Sequence, residues 1–144
     1  MNYYLGADIG TSGTKTVLFD CKGNVIASAS EEYPLYQPQN GYAEQDPQDW
    51  ANAVLHTMAA VLKKSGVDKN DVKGIGLSGQ MHGLVMLDAN NQVIRKSIIW
   101  CDQRTEKECA EINVSGPLSS KGYKVSSFGW KAKLLLSEDF LLKG

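Results

Sequence analysis

The chain has 144 residues, 42% of them hydrophobic, with 15 Lys and Arg against 16 Asp and Glu and a formal net charge of −1. That length and apolar content suit one soluble globular domain with a sizeable core. The near-neutral balance gives nucleic acid or an anionic membrane no electrostatic hold, so neither is expected as a partner. No apolar run reaches the ~20 residues of a membrane span, and "MNYYLGAD" lacks a signal-peptide pattern. Three cysteines without CxxC spacing fit a reduced, cytoplasmic setting better than a disulfide frame or a zinc site. The sequon Asn113-Val114-Ser115 is then incidental.

In chain order, residues 3–9 and 14–20 read as two strands joined by the turn Gly10–Gly13. A second turn, Cys21-Lys22-Gly23-Asn24, leads to a third strand over 25–32, where Val25, Ala27 and Ala29 alternate with Ile26, Ser28 and Ser30. Such short turns require an antiparallel meander. Residues 34–46, with two prolines and little periodicity, read as a loop. A helix follows: Asp46 caps it, Pro47 takes its first position, and Asp49 suits its positive end. Trp50, Val54, Met58, Val61 and Leu62 form its apolar face, His56 lies off that stripe in solvent, and Gly66 stops it. Strands return over 72–77, 84–87 and 97–100, and Asp102 is placed to cap a second helix over about 103–112. "FDCKGNVI" and "LDANNQVI" echo each other as hairpin turns, too far apart to be a repeat array. The order is mixed α/β and lacks the βαβαβ alternation of a Rossmann fold.

Three stretches carry chemistry. "GADIGTSGTK" (6–15) runs a strand into a Gly, Thr and Ser turn with Lys15 beyond. It is not a P-loop, because Thr14 separates Gly13 from Lys15, nor a dinucleotide fingerprint, because a strand rather than a helix follows. Asp8 could meet Mg²⁺, and Thr11, Ser12, Gly13 and Lys15 could meet phosphate oxygens. The same composition also makes an ordinary hairpin with Asp8 binding local N–H groups, and the residues alone leave both open. "GIGLSGQMHG" (74–83) is a short strand punctuated by glycines, which implies close packing on its backbone. At its end Gln80, Met81 and His82 would suit a polyhydroxyl ligand, or simply a Gly-rich connection with a solvated His. In "IIWCDQRT" (98–105), Trp100 offers a flat face for a sugar, while Asp102 and Arg104 could bind hydroxyls but read better as a cap and a mutual pair.

Taken together these stretches, with "GYAEQDPQDWANAV" between them, resemble the FGGY family of carbohydrate kinases over residues 3 to about 112. The Gln-Met-His triplet points to its xylulokinase branch. The resemblance implies an actin-like, ribonuclease-H-like ATPase fold whose mixed sheet opens with the three-strand meander. Residues 1–112 would be an incomplete amino-terminal domain and 113–144 a divergent tail of unassigned structure. It also implies ATP and Mg²⁺ as cofactors and phosphorylation of D-xylulose. Asp8 would be the catalytic and metal-holding carboxylate, and Gly10, Thr11, Ser12, Gly13 and Lys15 would bind phosphate. Gln80, Met81, His82 and Trp100 would bind the sugar. The family's general base and adenine site belong to a part beyond residue 144, so the chain alone is expected to be inactive. Three alternatives remain: a kinase for another sugar or polyol of the family, an actin- or chaperone-type nucleotide machine sharing the phosphate turn, and a non-catalytic fragment that self-associates as a homodimer.

Overall fold

The computed structural model describes residues 1–115. The Ser-, Gly- and Lys-rich stretch from 116 onward, to which the expectation of a divergent tail chiefly applies, lies outside the described residues. Two compact units divide the chain: Met1–Leu35 with Asp46–Gln80, and Tyr36–Gln45 with the chain from Met81 onward.

The first unit is a four-stranded sheet under one helix. Strands β1 (Tyr3–Ile9), β2 (Gly13–Asp20) and β3 (Val25–Glu32) form the expected antiparallel meander, and β5 (Val72–Gly79) joins parallel to β1, giving the order β3-β2-β1-β5. Alternation decides the faces. Leu5 and Ala7 of β1 and Thr14, Thr16 and Leu18 of β2 are buried, while Asp8 and Lys15 stand out on the other side. Leu5, Leu18, Ala27 and Val61 make the core, with Tyr3, Met58 and Val72 packed against it.

Helix α1 (Pro47–Ser65) starts and stops where the sequence requires. The Asp46 side chain accepts the Gln48 N–H, Pro47 follows, and Gly66 adopts φ 70° as its N–H returns to Leu62 O. The buried centre of its face is Ala53, Thr57 and Val61, with Trp50, Val54, Met58 and Leu62 only half-buried beside them. Thr57 escapes a search for apolar periodicity because it is polar. Its hydroxyl lies 2.7 Å from that of Thr16 and donates to Ala53 O, so the polar pair is satisfied inside the core. His56 is exposed as expected, and its Nδ1 sits 3.0 Å from a Glu31 oxygen. α1 packs across β2 and β3 and only brushes β1. Ile75 and Leu77, in register with Leu5 and Ala7 on the helix side, therefore stay 59% and 66% exposed.

The second unit holds a two-stranded antiparallel sheet, β4 (Glu44–Gln45) with β6 (Ser97–Ile98), and helix α2 (Glu106–Ser115). Three expectations are corrected here. The 34–46 loop contains β4. The strand over 84–87 reduces to two isolated bridges, because Leu84 pairs with Ile98 while Leu87 pairs with Val93 inside its own hairpin, so the segment changes partner midway. And α2 begins at Glu106 rather than Gln103. The Asp102 carboxylate accepts the Arg104 backbone N–H, but it also binds the Ala43 N–H and the Arg104 guanidinium, and the regular helix starts after this turn. The two echoing hairpins are alike in detail. Asp20 Oδ1 accepts the N–H groups of Lys22 and Asn24, and Asp88 Oδ1 those of Asn90 and Gln92. The left-handed position falls to Gly23 in one and Asn91 in the other.

Candidate functional site

β1 delivers Asp8 to the end of the sheet, and the pairing of β1 with β2 sets Lys15 directly opposite it. Among the described residues neither side chain is engaged in an ion pair, so both charges stand open next to the turn. They edge an open concavity of about 450 Å³ on the outer face of the sheet, lined also by Gly6, Val17, Phe19 and Ser78. The turn itself is closed by the Gly10 N–H donating to Gly13 O at 3.0 Å. Ser12 is exposed at its tip.

Two neighbours fix the turn from its flanks. The Gln80 N–H donates to Ile9 O at 2.8 Å, and the Thr11 hydroxyl reaches the Gln80 side-chain oxygen at 3.4 Å. From the end of β3, the Tyr33 hydroxyl donates to Gly10 O. Burial raises the pKa of the Tyr33 phenol, the nearby Thr14 hydroxyl opposes this, and the Asp8 charge adds to the rise, so the phenol keeps its proton at neutral pH. Gly13 has a demand of its own: a Cβ there would lie 2.5 Å from Glu31 O. The glycines of β5 are less crowded than their number implied. Close approach is realised at Gly74, where a Cβ would meet the Tyr4 ring at 3.3 Å.

Of the residues matched to a sugar site, Gln80 closes the first unit and lies against the turn. Met81, His82 and Trp100 belong to the second unit. There the Leu84–Ile98 bridge is antiparallel, so His82, two residues before it, and Trp100, two residues after it, come to the same end. Met81 and Trp100 are 71% and 47% exposed. His82 holds φ 66°, a left-handed conformation uncommon for a residue with a Cβ and frequent at ligand sites.

Beneath Trp100 is a buried ionic cluster. The Asp102 N–H closes a turn onto Ile99 O around Trp100, and the fully buried Asp102 carboxylate accepts from the Ala43 N–H and from Arg104. Arg104 also donates to Glu44 at 2.6 Å and lies over the Tyr42 ring, and Arg95 meets the same Glu44 oxygen. Burial pushes the Asp102 pKa up, but the hydrogen bonds from Arg104 and Ala43 outweigh it and hold the carboxyl below its ordinary value. Burial acts against the Arg104 charge as well, and Asp102 and Glu44 more than restore it. The pairing of Asp102 with Arg104 is thus as the spacing predicts. Glu44 and Tyr33 carry no local signal in the sequence, since each becomes significant only through partners distant in sequence.

The model of the FGGY family of carbohydrate kinases, N-terminal domain, matches residues 3–126, so the likeness continues past Ile112. The xylulose kinase of Bacillus subtilis is 46% identical over 109 residues, covering 76% of this chain and 22% of that protein. A xyloylose kinase from Brucella ovis superimposes with a TM-score of 0.81 at 34% identity, over 99% of this chain and 30% of that one. A gluconate kinase from Lactobacillus acidophilus gives 0.82 at 30% identity, over 96% and 29%. The chain thus spans less than a third of the length of these relatives, and its fold is the actin-like ATPase fold they share. The chain belongs to the FGGY family of carbohydrate kinases.

Proposed function

We propose that this chain is the amino-terminal part of an ATP-dependent sugar kinase of the xylulose kinase type, transferring the γ-phosphoryl of ATP to D-xylulose to give D-xylulose 5-phosphate and ADP. The observation that carries this reading is the turn between β1 and β2, held on both flanks, with Asp8 and Lys15 open beside it. In this reading the N–H groups and hydroxyls of Gly10–Gly13 take the β- and γ-phosphate oxygens, and Lys15 offsets their charge. His82 donates to a sugar hydroxyl and Trp100 covers the sugar's C–H face, with Met81 and Gln80 beside them.

The residues fit Mg²⁺ as an ion that arrives with the nucleotide. Among the described residues no three His, Cys, Asp or Glu side chains converge. Asp8 is a lone carboxylate, which is enough where phosphates and waters complete the Mg²⁺ shell. When bound, the ion would neutralise charge on the phosphates. The base that removes the hydroxyl proton and the adenine site fall to parts beyond this chain. A cytoplasmic place of work fits this substrate chemistry. Among the described residues no helix is long and apolar enough to cross a membrane.

A second reading, a kinase for another sugar or polyol of the family, draws on the likeness to the gluconate kinase. A chimera tests both, with residues 1–112 of this chain replacing the matching part of the Bacillus subtilis xylulose kinase. Xylulose-dependent ADP release is expected, falling ~100-fold or more in Asp8→Ala with little change in sugar affinity. Turnover on gluconate alone would establish the second reading, and near-normal turnover in Asp8→Ala would remove Asp8 from its role.

A further inference from the structure

The turn after β1 can bind an anion only if its peptides present N–H groups rather than carbonyls to that anion. A trans peptide points its C=O and its N–H in opposite directions, so fixing one fixes the other. The peptide between Gly10 and Thr11 is the sensitive one. Gly10 has no Cβ to bias its dihedrals, so this peptide can flip at little cost, and once flipped it would aim a carbonyl dipole at the anion. The preceding peptide cannot flip freely, because Ile9 O is held by the Gln80 N–H at 2.8 Å. Among the described residues, Gly10 O is held by the Tyr33 hydroxyl.

We infer that Tyr33 is a positioning residue, a latch whose hydroxyl holds the Gly10 carbonyl to the flank and thereby fixes the Thr11 N–H in the direction an anionic phosphate requires. The inference rests on the phosphate reading of this turn. It goes beyond it by placing the control of the turn on a residue that itself touches no phosphate.

The surroundings of Tyr33 suit a latch. It follows directly on Glu32, the β3 residue in register with Gly13, so the strand that carries it is pinned to the far end of the same turn. Pro34 behind it restricts Tyr33 to extended backbone, which limits the ring's freedom to swing away. The raised pKa of the phenol keeps a proton on the oxygen, and only the protonated oxygen can donate. A Phe here would keep the ring and lose only the donor.

The test is Tyr33→Phe in the 144-residue chain, with two readouts. The first is relaxation dispersion at the Thr11 amide, the N–H of the latched Gly10–Thr11 peptide. The second is the affinity for inorganic tripolyphosphate, measured by amide shifts of residues 10–13. Thr11 is expected to gain exchange broadening beyond the parent's and tripolyphosphate affinity to fall roughly tenfold, while β1 and β2 amides and the melting temperature stay as in the parent. An unchanged Thr11 amide would overturn the latch. A mobile Thr11 peptide with unchanged affinity would overturn its role toward phosphate. A parent chain that ignores tripolyphosphate would instead refute the phosphate reading, and the Thr11 readout would still decide whether Tyr33 holds the turn. Should Tyr33→Phe fail to fold, a chain carrying a trifluorinated tyrosine at position 33 alone replaces it. Its phenol ionises at much lower pH than tyrosine, so the Thr11 broadening must appear along the ionisation curve read from the fluorine shift if the latch is real, and be absent along it if it is not.

Discussion

Single residues here serve two requirements at once, and the conflict is visible in their backbone. His82 holds φ 66°, where a Cβ crowds the following carbonyl at a cost of about 1–2 kcal/mol. His82→Ala and His82→Gly remove the same imidazole, but only glycine accepts the backbone without strain. The Gly variant is expected to be about 1 kcal/mol more stable than the Ala variant in urea denaturation. Calorimetry on the chimera should show both losing xylulose affinity equally, by about 1–3 kcal/mol. Equal stabilities would mean that the conformation is not strained, and unchanged affinity would take His82 out of the sugar site.

At the scale of elements, the meander and α1 were legible because each is written locally. Two-residue alternation, Asp- and Gly-marked turns, and the Asp46, Pro47 and Gly66 signals all act within a few positions. Within 84–105 the Asp88 turn, a strand at 97–98 and the Asp102–Arg104 pair were legible. β4 within 34–46 and the change of partner along 84–87 were not, because their order comes from groups meeting across the sequence. Asp102 reaches Ala43, and Glu44 reaches both Arg95 and Arg104. The candidate site divides the same way: Asp8 and the turn could be read from spacing, whereas the Tyr33 contact needed the fold. The ionic cluster is what holds the Trp100 turn to β4. Removing one member leaves buried charge uncompensated, so Asp102→Asn should cost about 3 kcal/mol at pH 7 by urea denaturation. The pH dependence has a definite sign. The folded-state pKa of Asp102 lies below the ordinary 3.8. Its stabilisation is therefore complete above 3.8 and is lost as pH falls through the lowered value. The gap between parent and Asp102→Asn should narrow in that acid range, and a constant gap would show that the charge is not what matters.

For the whole molecule, the division of labour sets the limit. Phosphoryl transfer needs phosphate, attacking hydroxyl and a base positioned together. Asp102 is the carboxylate nearest the sugar segments in sequence, and with Arg104 holding it ionised and buried it is a weak, inaccessible base. The 144-residue chain should therefore release no sugar-dependent ADP in a coupled assay with MgATP and xylulose. Turnover that survives repurification and vanishes in Asp8→Ala would show that this part suffices. Gly13 bears on how such a family should be read in evolution. Every missense change of its codon adds a Cβ, and that Cβ would collide with the β3 backbone at Glu31 whatever the turn binds. A mutant library selected for folding alone would already be fixed at Gly13. Invariance there would record the sheet, and only invariance at its exposed neighbour Ser12, which the fold leaves free to vary, would record selection by a ligand.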